Sequence, residues 1–497
     1  MGYNFTRNRW QRAFLALALV TSSCSVKAAA MDYNRDLINK GGSITITPQT
    51  SSAVLASYTQ AINTNGLLDQ TFGGAGNNVT AIGTFAIVNA IAIQPDGKIV
   101  AVGFATLPGG DAFTIIRYNV NGSLDTSFGG GLGYVTTPFG TGDEATGVVL
   151  QSDGKIVAGG TVLLAGLRQF AAMRYNTNGT LDTTFNAAGT TPGVITTVLV
   201  AQASSANGIA LQTDGKILLA GKTEIAGAWS RFGLVRYTAN GTLDTTFGAG
   251  GTGIVTLSSI SAGNDSGQAV ALQSDGKIVV AGYSNNGAID RFATVRYTIN
   301  GILDTATFGN GLGYVVTELN AGAVVLFSSS AWALVIQSDQ KIVVGGSTSS
   351  VDTTCALARY TTAGVLDPSF GAGVGYVTTP ITVGALGTNG QINSLALQTD
   401  GKIVAAGQIT IAGLQQFALL RYNLDGSLDT SFGGPATGYV TTIIAPGVNS
   451  FAKAVAVQAD GKLVVSGISD IAFATARYIN PFTLATFTAS YGAVGLL

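Results

Sequence analysis

A unit of about sixty residues returns seven times along this chain, and that recurrence limits the fold more than any single motif. An Asp-Gly-Lys turn occurs at Asp96, Asp153, Asp214, Asp275, Asp400 and Asp460, with Asp339-Gln340-Lys341 as the variant copy. Successive turns lie 57, 61, 61, 64, 61 and 60 residues apart. An Arg-Tyr pair follows each turn, from Arg117-Tyr118 to Arg477-Tyr478. A Leu-Asp-x-x-Phe segment precedes each turn, and the copy at Leu303-Asp304 carries one extra residue before Phe308.

The motifs have direct structural meanings. Asp-Gly between two apolar runs favours a tight hairpin, because the turn needs positive φ and glycine adopts it freely. Asn178-Gly179 and its counterparts, such as Asn121-Gly122 and Asn240-Gly241, turn the chain again. Between the turns lie short runs rich in Val, Ile, Thr, Tyr or Phe; in the second unit they cover 133–137, 145–151, 155–162 and 170–176. Four short antiparallel strands per unit, repeated radially, predict an all-β chain. The expected architecture is a β-propeller of seven four-stranded blades, or eight if the two chain ends build one more. A β-solenoid fits less well, since its coils are shorter. The predicted division is a signal peptide at 1–30, N-terminal strands completing a closing blade at 31–64, seven repeats over 65–479, and a C-terminal closing strand at 480–497.

The segments Leu428 to Gly433, Gln398 to Val404 and Phe417 to Asn423 resemble the delta-60 repeat family, a group of bacterial propeller-like repeats of unknown function. The resemblance covers roughly residues 56–480. It implies a propeller on an exported protein and no particular activity.

Composition narrows the chemistry. The 497 residues include no histidine, which excludes a Ser-His-Asp triad, a Cys-His pair and a histidine-ligated zinc site. With 25 Lys plus Arg against 26 Asp plus Glu, the net charge of −1 offers no grip on nucleic acid. Most charges belong to the repeat, where the turn aspartates suit hairpins and each motif arginine needs a motif aspartate if both are buried. The remaining acids are scattered, only Asp143 and Glu144 being adjacent, and no calcium-loop pattern appears. The strands expected to line the channel, such as 133–137 and 375–379, offer Tyr, Val and Thr, with Glu318 the one acid at such a position. No catalytic residue, metal ligand or cofactor is assigned. Cys355 sits at the place of Phe170 and Phe417 in the fourth strand, which marks a buried core thiol.

The N-terminus reads as an export signal: Arg7, Arg9 and Arg12, the apolar run Ala13 to Val20, then Ala28-Ala29-Ala30 at a cleavage point. The mature chain is therefore expected in the periplasm or outside the cell, with lipid anchoring at Cys24 as the alternative. No other segment reads as membrane-spanning.

Alternating strands place the Asp-Gly-Lys turns and the Leu-Asp connections on one face, and loops that vary between repeats on the other. Binding specificity usually lives on variable loops over a rigid scaffold. Trp229 and Arg231, on one such loop, are the contact candidates. The leading expectation is a non-catalytic binding or structural scaffold for an unknown protein or glycan ligand at the cell surface or in the periplasm. The alternative is a propeller hydrolase or lyase with a divalent metal in the central channel.

Overall fold

The computed structural model describes residues 42–47, 55–60, 65–480 and 485–488, apart from positions 201, 227–228, 320–326, 350–352, 382–388 and 435–436. The segment 1–30, expected as a signal peptide, and Cys24 lie outside the described residues. One compact unit comprises residues 66–480. In the other, Gly42–Thr47, Leu55–Gln60 and Ala485–Thr488 pair in a three-stranded antiparallel sheet.

Residues 66–480 build seven four-stranded antiparallel sheets, blades 1 to 6 spanning 85–137, 144–197, 204–256, 265–317, 328–379 and 390–442, and blade 7 taking 450–478 with 77–80. With the strands of each sheet named a to d, blade 2 consists of Glu144–Leu150, Ile156–Leu164, Leu167–Tyr175 and Val194–Thr197. Every a strand packs against the a strands of both neighbours around a full circle. The a strands therefore line the centre and the d strands form the outer rim. The chain is a seven-bladed β-propeller.

Closure joins distant parts of the sequence. Blade 7 takes Ser450–Val457, Leu463–Ser469 and Ala472–Tyr478 as its a, b and c strands and Asn77–Thr80 as its d strand. The eighth-blade option falls, because the a strand of blade 7 packs directly against that of blade 1 and closes the ring at seven. The expected strand order needs a correction as well. Segments 133–137 and 375–379 are not channel strands: Tyr134–Thr137 and Tyr376–Thr379 are the outermost strands of blades 1 and 5. A cyclic repeat has no intrinsic starting point in sequence, so spacing alone leaves the inner strand unidentified.

Each blade is covered by a neighbour on both sides, which is why the b and c strands read as nearly unbroken apolar runs. The core is a set of slabs between blades: Val102, Phe113 and Ile115 of blade 1 pack with Ile156, Met173 and Tyr175 of blade 2. The c-strand tyrosines then bond backward, Tyr175 Oη to Thr137 Oγ1 at 2.8 Å and Tyr237 Oη to Thr197 Oγ1 at 2.8 Å. Tyr118 meets Thr80 of blade 7 at 3.1 Å, so the same contact spans the closure.

All seven a strands carry a bulge, such as the one between Ala145 and Gly147. It thrusts a carbonyl against the b strand, where a glycine stands in every blade. A Cβ at Gly160 would overlap the carbonyl oxygen of Glu144, and one at Gly407 that of Gln391. Gly160→Ala should therefore lower stability by about 1–3 kcal/mol through overpacking. Gly434→Ala, where a methyl meets nothing, should leave the urea midpoint unchanged.

Candidate functional site

Antiparallel pairing sorts the connections onto two faces. The a–b turns carrying Asp-Gly-Lys and the c–d connections carrying Leu-Asp share one face, and the b–c and d–a loops share the other.

On the repeated face, the motif charges assemble into one network per blade. In blade 1, Arg117 Nε donates to Asp125 Oδ2 at 2.7 Å, and Lys98 Nζ lies 2.9 Å from the same oxygen. Asp125 Oδ1 accepts from Ser127 N at 3.0 Å and Oγ at 2.7 Å. The guanidinium lies 4.5 Å from the ring centre of Phe128. Its Nη1 crosses to the carbonyl of Thr177 in blade 2. The same bridge runs from Arg174 to Ala239, from Arg236 to Ile299, from Arg296 to Thr362 and from Arg359 to Leu424. Arg421 reaches Asn480, and Arg477, paired with Asp69, reaches Val120 of blade 1. The seven arginines thus form a closed circle of inter-blade ties. Blade 4, which carries the extra residue, differs in detail: Lys277 pairs with its turn aspartate, Asp275, at 2.6 Å, whereas the other six turn lysines lie within 3.4 Å of the Leu-Asp carboxylate.

The arginine and the Leu-Asp aspartate of each network are buried, so each arginine depends on its aspartate. Asp244→Ala would strand Arg236, whose side chain is 2% exposed, and should cost about 3–5 kcal/mol by chemical denaturation. The repeated charges are therefore structural parts. Cys355 is likewise inert, since burial pushes its thiol up to about 12.

The bulges place Asn89, Thr146, Asn207, Gln268, Trp332, Asn393 and Lys453 at equivalent positions on the a strands. Several bridge to the next blade: Asn89 Nδ2 donates to Ala145 O at 3.0 Å, Thr146 Oγ1 to Ala206 O at 3.0 Å and Asn207 Nδ2 to Gly267 O at 2.8 Å. Glu144 accepts from Asn89 at 3.1 Å, and burial pushes its carboxyl up. Burial also pushes Lys453 down, partly countered by the charge of Glu144. Glu318, expected in the channel, instead follows the d strand Tyr314–Thr317 at the outer rim and lies 3.7 Å from Arg291. The acids on a strands are Glu144 and Asp265, each the first residue of its strand. Among the described residues, no group of three or more Asp, Glu or Cys side chains is placed to hold a metal ion.

On the variable face, a cleft of about 480 Å³ opens between blades 3 and 4. It is lined by Gln202, Lys222, Glu224, Ile225, Ala226, Trp229, Ser230, Asn264 and Tyr283. Trp229 is 51% exposed, the one aromatic among the exposed large apolar residues described. Its companion Arg231 is turned away from the cleft. Arg231 Nη1 donates to Ser230 O at 2.8 Å and Gly263 O at 3.1 Å, and lies 3.9 Å from Asp265. Ser230 N donates to Asn264 Oδ1 at 2.9 Å and Ser230 Oγ to Asp265 O at 3.0 Å. Arg231 therefore fixes the cleft wall instead of facing a ligand. Tyr283 was not legible as a site residue; it packs on Trp332 with ring centres 6.3 Å apart.

Six segments, 94–128, 151–185, 212–247, 273–306, 337–370 and 398–432, match the family model described as a domain of unknown function (DUF5122) beta-propeller. This is a β-propeller repeat protein. Each matched segment runs from the glutamine-led turn through the Leu-Asp connection, so the family model covers the structural network and not the variable face alone. No curated protein matches the chain. Solved structures of similar fold include catalytically inactive virginiamycin B lyase from Staphylococcus aureus with quinupristin, 12% identical with a TM-score of 0.44. That match covers 81% of this chain and 99% of the other. Polysaccharide lyase Uly1 is 12% identical with a TM-score of 0.43, over 88% of this chain and 99% of the lyase. Sqt1 of Chaetomium thermophilum is 13% identical with a TM-score of 0.43, over 80% and 96%.

Proposed function

We propose that this chain is an exported, non-catalytic propeller of the delta-60 repeat kind that serves as a binding scaffold and holds its ligand on the variable face. The observation that carries the reading is the division between faces. The repeated charges are tied into inter-blade networks, whereas the exposed aromatic, Trp229, stands over a cleft framed by the loops that differ between blades. The tripartite pattern of residues 1–30 supports export.

The test is calcium uptake by the mature chain, measured by calorimetry. The scaffold reading expects no stoichiometric binding. One calcium per chain, lost on Glu144→Gln, would favour the competing metal-dependent hydrolase or lyase. Export is read from the N-terminal mass of the protein recovered from the producing cell: a start after Ala30 is expected, and retention of residues 1–30 would contradict it.

A further inference from the structure

We infer that the Trp229 cleft takes a neutral saccharide, an inference that rests on the binding-scaffold reading above. Three features of the cleft point to this chemistry.

The first is the indole itself. Trp229 presents a flat aromatic surface to solvent at the cleft edge. The face of an indole is electron-rich, and the C–H face of a pyranose ring carries slight positive charge over a flat apolar area. Stacking of the two is therefore favourable, and a sugar covers the indole without needing a deep apolar pocket.

The second is the mixture of donors and acceptors around it. Lys222 donates, Glu224 accepts, and Gln202 does both. Asn264 uses its Oδ1 on Ser230, which orients its Nδ2 as a donor. Hydroxyl groups donate and accept at once, so a sugar satisfies such a set; an apolar ligand would leave these groups unpaired. The volume of about 480 Å³ lies within the range of small-molecule sites.

The third is charge. The cleft is lined by one lysine and one glutamate, giving no net attraction for an anion. Arg231, the residue suited to grip a carboxylate or phosphate with two parallel bonds, is held by Ser230, Gly263 and Asp265. This favours neutral sugars over acidic ones. The same ties fasten the loop of blade 3 to that of blade 4, so the walls are set before any ligand arrives.

The experiment is calorimetric titration of the mature chain with cellohexaose, chitohexaose and maltohexaose, with product analysis of each mixture. At least one should bind, and Trp229→Ala should weaken it by about 30-fold, the scale of a stacked anchor residue. Trp229→Phe should restore much of the affinity, and Leu414→Ala, at an exposed position on the distant blade 6, should change nothing. Because Trp229 is half exposed, Trp229→Ala should keep the parent unfolding midpoint, so lost binding will not reflect lost folding. Absence of binding at about 1 mM for all three, or binding indifferent to Trp229→Ala, overturns the inference. The scaffold reading is judged separately. If no sugar binds but a peptide or protein ligand does so through Trp229, the saccharide fails and the scaffold stands. Shortening of a bound hexasaccharide would keep the ligand class and overturn the non-catalytic reading.

Discussion

A chain that starts at residue 81 will fail to hold its seventh blade, whereas one that starts at residue 65 will fold its propeller. The sixteen residues between these starts include the whole N-terminal half of the closure. Asp69 neutralises Arg477, contacting Nε at 2.9 Å across 408 residues of sequence, and Lys462 adds a second contact at 3.0 Å. Phe72 is fully buried beneath the Arg477 guanidinium, whose carbon is 4.8 Å from the ring centre. Asn77–Thr80 supplies the d strand against Ala472–Tyr478. Stranding the buried arginine costs about 3–5 kcal/mol, and removing a core phenylalanine a further 3–5 or so. Their sum approaches the whole stability of an ordinary domain, about 5–15 kcal/mol. Rapid amide exchange confined to Ser450–Tyr478, or outright failure to fold, is the expected result for the shorter chain. Equal protection in both chains would show that the ring does not depend on this closure.

Acid will dismantle the ring between about pH 4 and pH 2, before ordinary surface carboxylates alone would. Burial by itself would raise the motif aspartates. Bonds from the hydroxyl and amide two residues on, together with the turn lysine and the arginine, outweigh it. Asp69, Asp182, Asp244 and Asp367 fall from the ordinary 3.8 to about 2. Asp125 and Asp429 fall further. A carboxyl lowered by folding stabilises the protein above its unfolded pKa, and that contribution disappears as pH falls through the folded value. Each shift of nearly two units is roughly 2 kcal/mol, so several networks together exceed a typical domain stability. Asp143 and Asp265 act in the opposite direction. Burial raises them, so their protonation near and above pH 4 favours the fold slightly. Urea midpoints at pH 6, 4, 3 and 2 should hold or rise a little at first and then drop steeply. A flat profile down to pH 2 would mean that the aspartates are not tied as described.

The parts that were legible in the sequence are those the repeat writes seven times. Turns, strands, the buried Arg-Asp pairing and the sorting of loops onto two faces all follow from recurrent residue types. Two other things were hidden for physical reasons. Circular symmetry conceals which strand is innermost, and this placed Glu318 in the channel when Glu144 and Asp265 are the acids on a strands. The bulge position holds Asn, Thr, Gln, Trp or Lys in different blades, so Lys453 and Trp332 show no common signature. What the position requires is recorded across the sheet, in the glycine of the neighbouring b strand. Trp229 was visible as a candidate, but the orientation of Arg231 depends on Gly263 and Asp265, more than thirty residues away.

The repeated face holds the ring together, and the variable face is the proposed binding surface. Amide hydrogen exchange across residues 31–497, with and without saturating cellohexaose, chitohexaose or maltohexaose, separates the two faces. Slower exchange around Lys222, Trp229 and Asn264, with the seven Asp-Gly-Lys turns unchanged, is the predicted result. Protection at those turns, repeated from blade to blade, would contradict it and make the repeated face the binding surface.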